Sequence, residues 1–228
     1  LLAKIAKLEV ENRNLKATEE EKQRIKEGFR QTSQGLTAVK WFDKAAALWK
    51  DGKFSDPHTA IRYFDEAIKL KPDYAAAFGN RGNAYYNLGQ HARAIEDMNQ
   101  DILLKPDEAK AYNNRGIAYY NLGQHARAIE DFSQAIRLKP DHADVFNNRG
   151  LAYYNLGQHA RAIEDYSQAI RLKPDYVKAY NNRGIAYAGL GQHARAIEDM
   201  NQAIRLKTDY AEAFNNRGLA YVDLGQHA

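Results

Sequence analysis

The side chains with chemical potential in this 228-residue chain are asparagines, tyrosines, lysines and histidines, and each kind recurs at one spacing. Asn80, Asn114, Asn148, Asn182 and Asn216 stand 34 residues apart, and Asn113, Asn147 and Asn181 directly precede the middle three. A primary amide offers a donor and an acceptor without charge, as a peptide bond does, so a ladder of amides suits an extended backbone. Five such bonds at roughly 0.5–1.5 kcal/mol each barely offset an association cost of roughly 4–15 kcal/mol, so side-chain pockets must supply the remainder. Tyr86, Tyr120 and Tyr154 share a second register, which Ala188 and Val222 continue. Tyrosine brings large contact area at low entropy cost, although a ring at regular helical spacing is as readily a packing residue.

The histidines carry a different message. His91, His125, His159 and His193 keep the same period, but packed helices lie roughly 8–10 Å apart and zinc holds its ligands at about 2.0–2.1 Å. Neighbouring copies therefore cannot share an ion, and these are read as turn residues. The chain has no cysteine, so thiolate metal sites, cysteine nucleophiles and disulfides are excluded. No phosphate loop or nucleophile–base motif emerges, and neither catalysis nor a cofactor is expected.

What positions these residues is a repeat. The glycine of an Asn-Arg-Gly triplet returns as Gly82, Gly116, Gly150, Gly184 and Gly218. A fixed period of this size points to stacked units rather than one globular core. Within a copy, Tyr112, Gly116, Tyr119 and Leu122 step by three and four and line one face of a first helix. Leu122-Gly123 ends it, glycine reaching a left-handed cap without strain. Ala128, Phe132, Ala135 and Leu138 form the apolar stripe of a second helix, Pro140 stops it, and Asp141 is placed to cap the next. Glycine and alanine set against large rings let the paired helices approach closely. Arg115 can lay its stem in the helix pair and reach Asp131, while Arg127 with Glu130 or Asp131 reads as surface pairing.

Charge narrows the partners. The net charge is +4 and the pI about 9.0, yet basic residues are interleaved with acidic ones at every turn, so nucleic acid is not the expected ligand. No run approaches the roughly 18 apolar residues of a membrane span. The compartment is unassigned; soluble, cytoplasmic and bacterial periplasmic settings all fit.

Tyr112-x2-Arg115-Gly116-x2-Tyr119, followed by Ala128-x3-Phe132 and Pro140, resembles the tetratricopeptide repeat family over about residues 38–228. Two departures stand out: arginine at positions 81, 115, 149, 183 and 217, where the family most often has leucine, and Thr208 in place of a closing proline. The resemblance implies an all-α, right-handed superhelical solenoid of helix-turn-helix repeats whose first helices line a concave groove for a partner peptide. In some members similar asparagines line that groove and bind peptide backbone. By the same geometry Tyr86, Tyr120 and Tyr154 project toward it, as do Asn83, Ile117, Leu151, Ile185 and Leu219. Lys110, Asp144, Lys178 and Glu212 alternate in sign at one repeat position, so the groove is mixed in charge and Lys110 and Lys178 are its cationic contacts. Members that bind chaperone tails hold a terminal carboxylate with several lysines or arginines. Here those places are mainly asparagine, and the expected partner is neutral or mixed in charge.

The organisation read from the chain is an N-terminal helix over 1–30, a linker over 31–37 and a repeat array over 38–228. The array divides into a degenerate repeat at 38–74, full copies at 75–108, 109–142, 143–176 and 177–210, and an incomplete one at 211–228. In the degenerate copy the turn from Gly52 to Ala60 is three residues longer than later turns, and loops tolerate such insertions cheaply. Leu1, Leu8 and Leu15 with Ile5 and Asn12 form a two-heptad seam, which serves either a short parallel coiled coil or docking on the repeats. At the other end Leu219, Tyr221 and Leu224 lack a covering second helix, so continuation of the chain or contact with another molecule is expected. The function read from these features is a non-enzymatic protein–protein interaction scaffold. The rivals are a self-assembly module that makes a homo-oligomer, and the substrate-recruiting arm of a larger enzyme.

Overall fold

The computed structural model describes Gln23 and residues 36–225. The 1–30 helix with its leucine seam, and most of the linker, lie outside the described residues. Eleven helices follow one another among those described: α1 Ala38–Ala46, α2 Pro57–Leu70, α3 Ala75–Asn87, α4 His91–Leu104, α5 Ala109–Asn121, α6 His125–Leu138, α7 Ala143–Asn155, α8 His159–Leu172, α9 Val177–Gly189, α10 His193–Leu206 and α11 Ala211–Asp223. Each packs on its neighbours in sequence, giving an all-α helical repeat solenoid.

The turn inside each pair follows from one glycine. Gly89, Gly123, Gly157, Gly191 and Gly225 all have φ between 71° and 76°. After α5 the Gln124 amide donates to Tyr119 O at 2.9 Å and the Gly123 amide to Tyr120 O at 2.9 Å. This is the paired closure of a Schellman motif, which satisfies the last carbonyls of the helix. The other end differs from expectation. Asp141 does not cap α7; the N-cap is His142, with no side-chain cap bond. The apolar contacts of the helix pair, rather than a cap, locate that start.

Small residues meet large ones across each pair. A Cβ on Gly116 would come within 2.7 Å of the Phe132 ring, and one on Gly150 within 2.7 Å of the Tyr166 ring. Phe132 and Tyr166 are each 1% exposed, and burying a large side chain contributes about 1.5–3 kcal/mol.

The arginine of each Asn-Arg-Gly triplet from Arg81 to Arg183 works as a two-way clamp. Arg149 donates through Nε and Nη2 to both oxygens of Asp165, at 2.8 and 2.7 Å, and through Nη1 to Ser133 Oγ at 3.0 Å. Asp165 lies on the second helix of its own pair and Ser133 on that of the preceding pair. Arg81, Arg115 and Arg183 repeat the bidentate contact with Asp97, Asp131 and Asp199. Asp131 is therefore taken by Arg115, and Arg127 instead donates to Gln124 Oε1 at 2.9 Å and lies over the Tyr119 ring.

One element is not helical. The long turn of the first repeat forms a β-ribbon, β1 Trp49–Lys50 against β2 Lys53–Phe54, around Asp51 and Gly52. Both turn residues have positive φ, 50° and 82°, the backbone of a two-residue hairpin turn whose twist matches its strands. Phe54 packs edge-on against Phe64, and its amide donates to Asn87 Oδ1 at 2.9 Å, which fixes the ribbon to the end of α3. Gly52 has open space around it, so Gly52→Ala should carry only the backbone cost of a left-handed residue, about 1–2 kcal/mol. A thermal melt should show a drop of a few degrees; no drop would mean that the ribbon does not constrain the fold.

Candidate functional site

The predicted asparagines come together, but chiefly with one another. Asn148 Nδ2 donates to Asn113 Oδ1 at 3.3 Å, Asn182 to Asn147 at 3.0 Å and Asn216 to Asn181 at 3.1 Å. The first rung is different: Asn114 donates to Asn83 at 3.1 Å, and Asn80 donates to Ala76 O of its own helix at 2.8 Å. Asn113 closes the pattern by donating to Asn114 Oδ1 at 3.4 Å. Periodicity places these amides in register, but whether they reach outward or sideways depends on the distance between adjacent first helices. Asn147 and Asn181, at 4% and 3% exposed, lack the surface for direct contact with a ligand. Their oxygens orient Asn182 and Asn216, each of which keeps one N–H and its own oxygen.

The tyrosines divide. Tyr86 Oη accepts from Asn121 Nδ2 at 2.9 Å and Tyr120 Oη from Asn155 Nδ2 at 2.7 Å, so both rings lean on the next repeat. Tyr154 has Gly189 at the matching place and packs among Ala162, Tyr166 and Ala186. The rings of His91, His125 and His159 lie about 5 Å from those of Tyr86, Tyr120 and Tyr154, a packing contact that needs no ligand; His193 has Ala188 at that place.

Two adjoining cavities lie where the first repeats meet. One of about 390 Å3 is lined by Trp49, Asn80, Asn83, Tyr86, Lys110 and Asn114, among others. The second, about 240 Å3, shares Asn80, Asn83, Lys110 and Asn114 and adds Gly79, Asp101, Lys105 and Glu108. Lys110 thus joins the amides at both cavities, whereas Lys178 is exposed and lines neither. Trp49 and Asp101 were not foreseen. Trp49 reaches the cavity only because the ribbon carries it there, and the Asp51-Gly52 dipeptide was the available hairpin signal. Asp101 stands where later copies have Ala135, Ala169 and Ala203, a departure visible in the sequence whose partner was not.

At the far end Phe214, Leu219, Val222 and Leu224 are exposed, while Tyr221 is half-buried against the cluster of Ala196, Ile197, Met200 and Ala220. Tyr221 therefore has cover that the periodicity did not foresee. Among the described residues, no helix is long and apolar enough to cross a membrane.

Comparisons with known proteins agree with this geometry. A family model described as tetratricopeptide repeat matches residues 113–177, 147–211 and 181–228. A second tetratricopeptide model matches residues 63–96, and one described as TPR repeat matches 82–123. Among solved structures, MamA aligns with a TM-score of 0.65 at 30% identity, covering 69% of this chain and 92% of its own. YrrB, described as a TPR protein with an unusual peptide-binding site, aligns at 0.66 and 20% identity over 78% of this chain and 90% of its own. The first TPR domain of Spaghetti (RPAP3), solved with the HSP90 peptide SRMEEVD, aligns at 0.50 and 27% identity over 51% of this chain and 93% of its own. No curated protein matches.

Proposed function

Since this chain belongs to the tetratricopeptide repeat family, we propose that it is a non-enzymatic scaffold holding an extended peptide or partner helix in the groove lined by its first helices. The observation that carries this reading is the pair of adjoining cavities at the first repeats, where Asn80, Asn83, Asn114 and Lys110 converge beside Tyr86 and Trp49. Polar groups that fix orientation and aromatic surface that provides area are what a recognition site combines. Peptide binding by a relative of this fold, the Spaghetti domain, supports it. In that groove Asn114, Asn148, Asn182 and Asn216 present their remaining amide groups to the ligand, held in place by Asn83, Asn113, Asn147 and Asn181.

Random dodecapeptides displayed on phage and selected on this chain test the reading. Selected peptides should bind the Asn114→Ala/Asn148→Ala/Asn182→Ala variant at least roughly tenfold more weakly, since each lost bond contributes about 0.5–1.5 kcal/mol. Helicity should be unchanged. Undiminished binding would move the site to the convex face.

A second reading, self-assembly, draws on Phe214, Leu219 and Val222 of α11 and Leu224 at its end, all large apolar side chains exposed to solvent. Sedimentation across a hundredfold concentration range separates the two readings, because only assembly changes the mass.

A further inference from the structure

Four helix pairs built from nearly the same sequence allow one copy to be read against the others. In the three copies spanning α5 to α10, the residue three before the central glycine is asparagine (Asn113, Asn147, Asn181), and the facing residue of the second helix is alanine (Ala135, Ala169, Ala203). In the copy made by α3 and α4 both positions change together, to Gly79 and Asp101. A Cβ on Gly79 would fall on the Asp101 carboxylate, so the carboxylate occupies the space that the asparagine side chain leaves. The exchange moves the polar group from the first helix to the second and replaces a neutral amide with an acid. It also breaks the ladder: Asn114, the residue that would bond position 79, turns to Asn83 instead.

Asp101 is 8% exposed, it faces the 240 Å3 cavity, and no described residue donates a hydrogen bond to its carboxylate. A largely buried carboxylate without a protein donor is poorly solvated, whereas each aspartate of the helix-pair clamp has its arginine. The other charges at the cavity, Lys105, Glu108 and Lys110, are exposed, so water screens their action on Asp101 more than it would screen a charge placed inside the cavity.

We propose that this cavity is a subsite for a lysine or arginine side chain of the bound partner segment, with Asp101 as its anchor. The inference rests on the groove reading above and names the residue class that the groove selects. A long cationic side chain fits a cavity of this size, brings the donors that Asp101 lacks, and leaves its charge beside a desolvated carboxylate, where a charge-assisted bond is strong. Asn80, Asn83 and Asn114 at the same cavity are placed to hold the flanking backbone. Burial and Glu108 push the Asp101 carboxyl up to about 6, against the pull of Lys105 and Lys110. The anchor is accordingly charged at neutral pH and loses its charge in mild acid.

The test uses the same displayed dodecapeptides, selected in parallel on the unaltered chain, on Asp101→Asn, and on the Gly79→Asn/Asp101→Ala variant. The last restores the combination already folded in three other copies, so a folding failure cannot mask the result. Peptides selected on the unaltered chain should carry Lys or Arg at one fixed position. A synthetic peptide of that sequence should bind both variants at least tenfold more weakly, and should lose affinity for the unaltered chain alone as pH falls from 7.5 to 5. Selected peptides without a basic residue at a fixed position, yet dependent on Asn114, Asn148 and Asn182, would overturn the subsite and leave the groove reading intact. If no peptides are enriched at all, both readings fail together.

Discussion

Asp165→Ala is expected to lower stability by about 3 kcal/mol, the lower end of the range for breaking a buried ion pair. The Asp165 side chain is 7% exposed and that of Arg149 19%. Removing the acid leaves a guanidinium largely out of water with only Ser133 as acceptor. Burial raises the Asp165 carboxyl above its ordinary value while Arg149 draws it down, so the pair is held together against a desolvation cost. For that reason the loss reflects an orphaned charge more than a strong bond. Replacing both partners, with Arg149→Leu and Asp165→Ala, should recover most of the loss, since apolar replacement of a buried pair is often neutral. Arg217 supplies the control: among the described residues its one hydrogen bond goes to Asn201 at 2.6 Å and its guanidinium lies over the Phe214 ring, and Arg217→Leu should change stability by less than about 1 kcal/mol. Urea denaturation of the three variants decides the matter. A small effect of Asp165→Ala would mean that the clamp behaves as a surface pair.

The second large effect is a reversal of sign at equivalent positions. Gly150→Ala should destabilise by about 1–3 kcal/mol, because the new methyl would sit 2.7 Å from the Tyr166 ring, and overpacking a close-packed site costs that much. Alanine's better helix propensity, about 1 kcal/mol, offsets only part of this. Gly218 occupies the same place in α11 and has nothing within 4 Å, so Gly218→Ala should stabilise by up to about 1 kcal/mol. Opposite shifts in thermal midpoint are expected. Two shifts of the same sign would show that propensity, not the close approach of the paired helices, governs the position.

These results bear on how the array holds its site. A solenoid contacts only its neighbours, so its rigidity is that of its interfaces. Two kinds of staple cross each joint from α5 onward: the arginine that bonds the preceding second helix, and the asparagine that bonds the preceding first helix. Both are side-chain contacts added to apolar packing, and both set the pitch at which groove residues follow one another.

Much of this was legible in the chain. The 34-residue period, the three- and four-residue stepping around Gly116, and the glycine after Leu122 depend on local geometry, and local geometry follows from residue type. The contact of Arg115 with Asp131 could likewise be read, because a fixed repeat brings two fixed positions together. Other features were out of reach for a physical reason. A helix start at His142 rather than Asp141 depends on where the apolar faces dock. The ribbon at Asp51-Gly52 has a hairpin signal, but only packing of Phe54 on Phe64 and its bond to Asn87 fix it beside α3. The period places the asparagines in a ladder, but only the spacing between repeats shows that they also bond sideways to one another. Likewise the sequence shows Gly79 and Asp101 as two unrelated lapses from the repeat, 22 positions apart. By itself it determined the family, the helices and the register of every polar side chain, since these depend on spacing along one helix. Which of those side chains meet each other and which keep a free face was decided only by the tertiary structure, because that depends on the distance between helices.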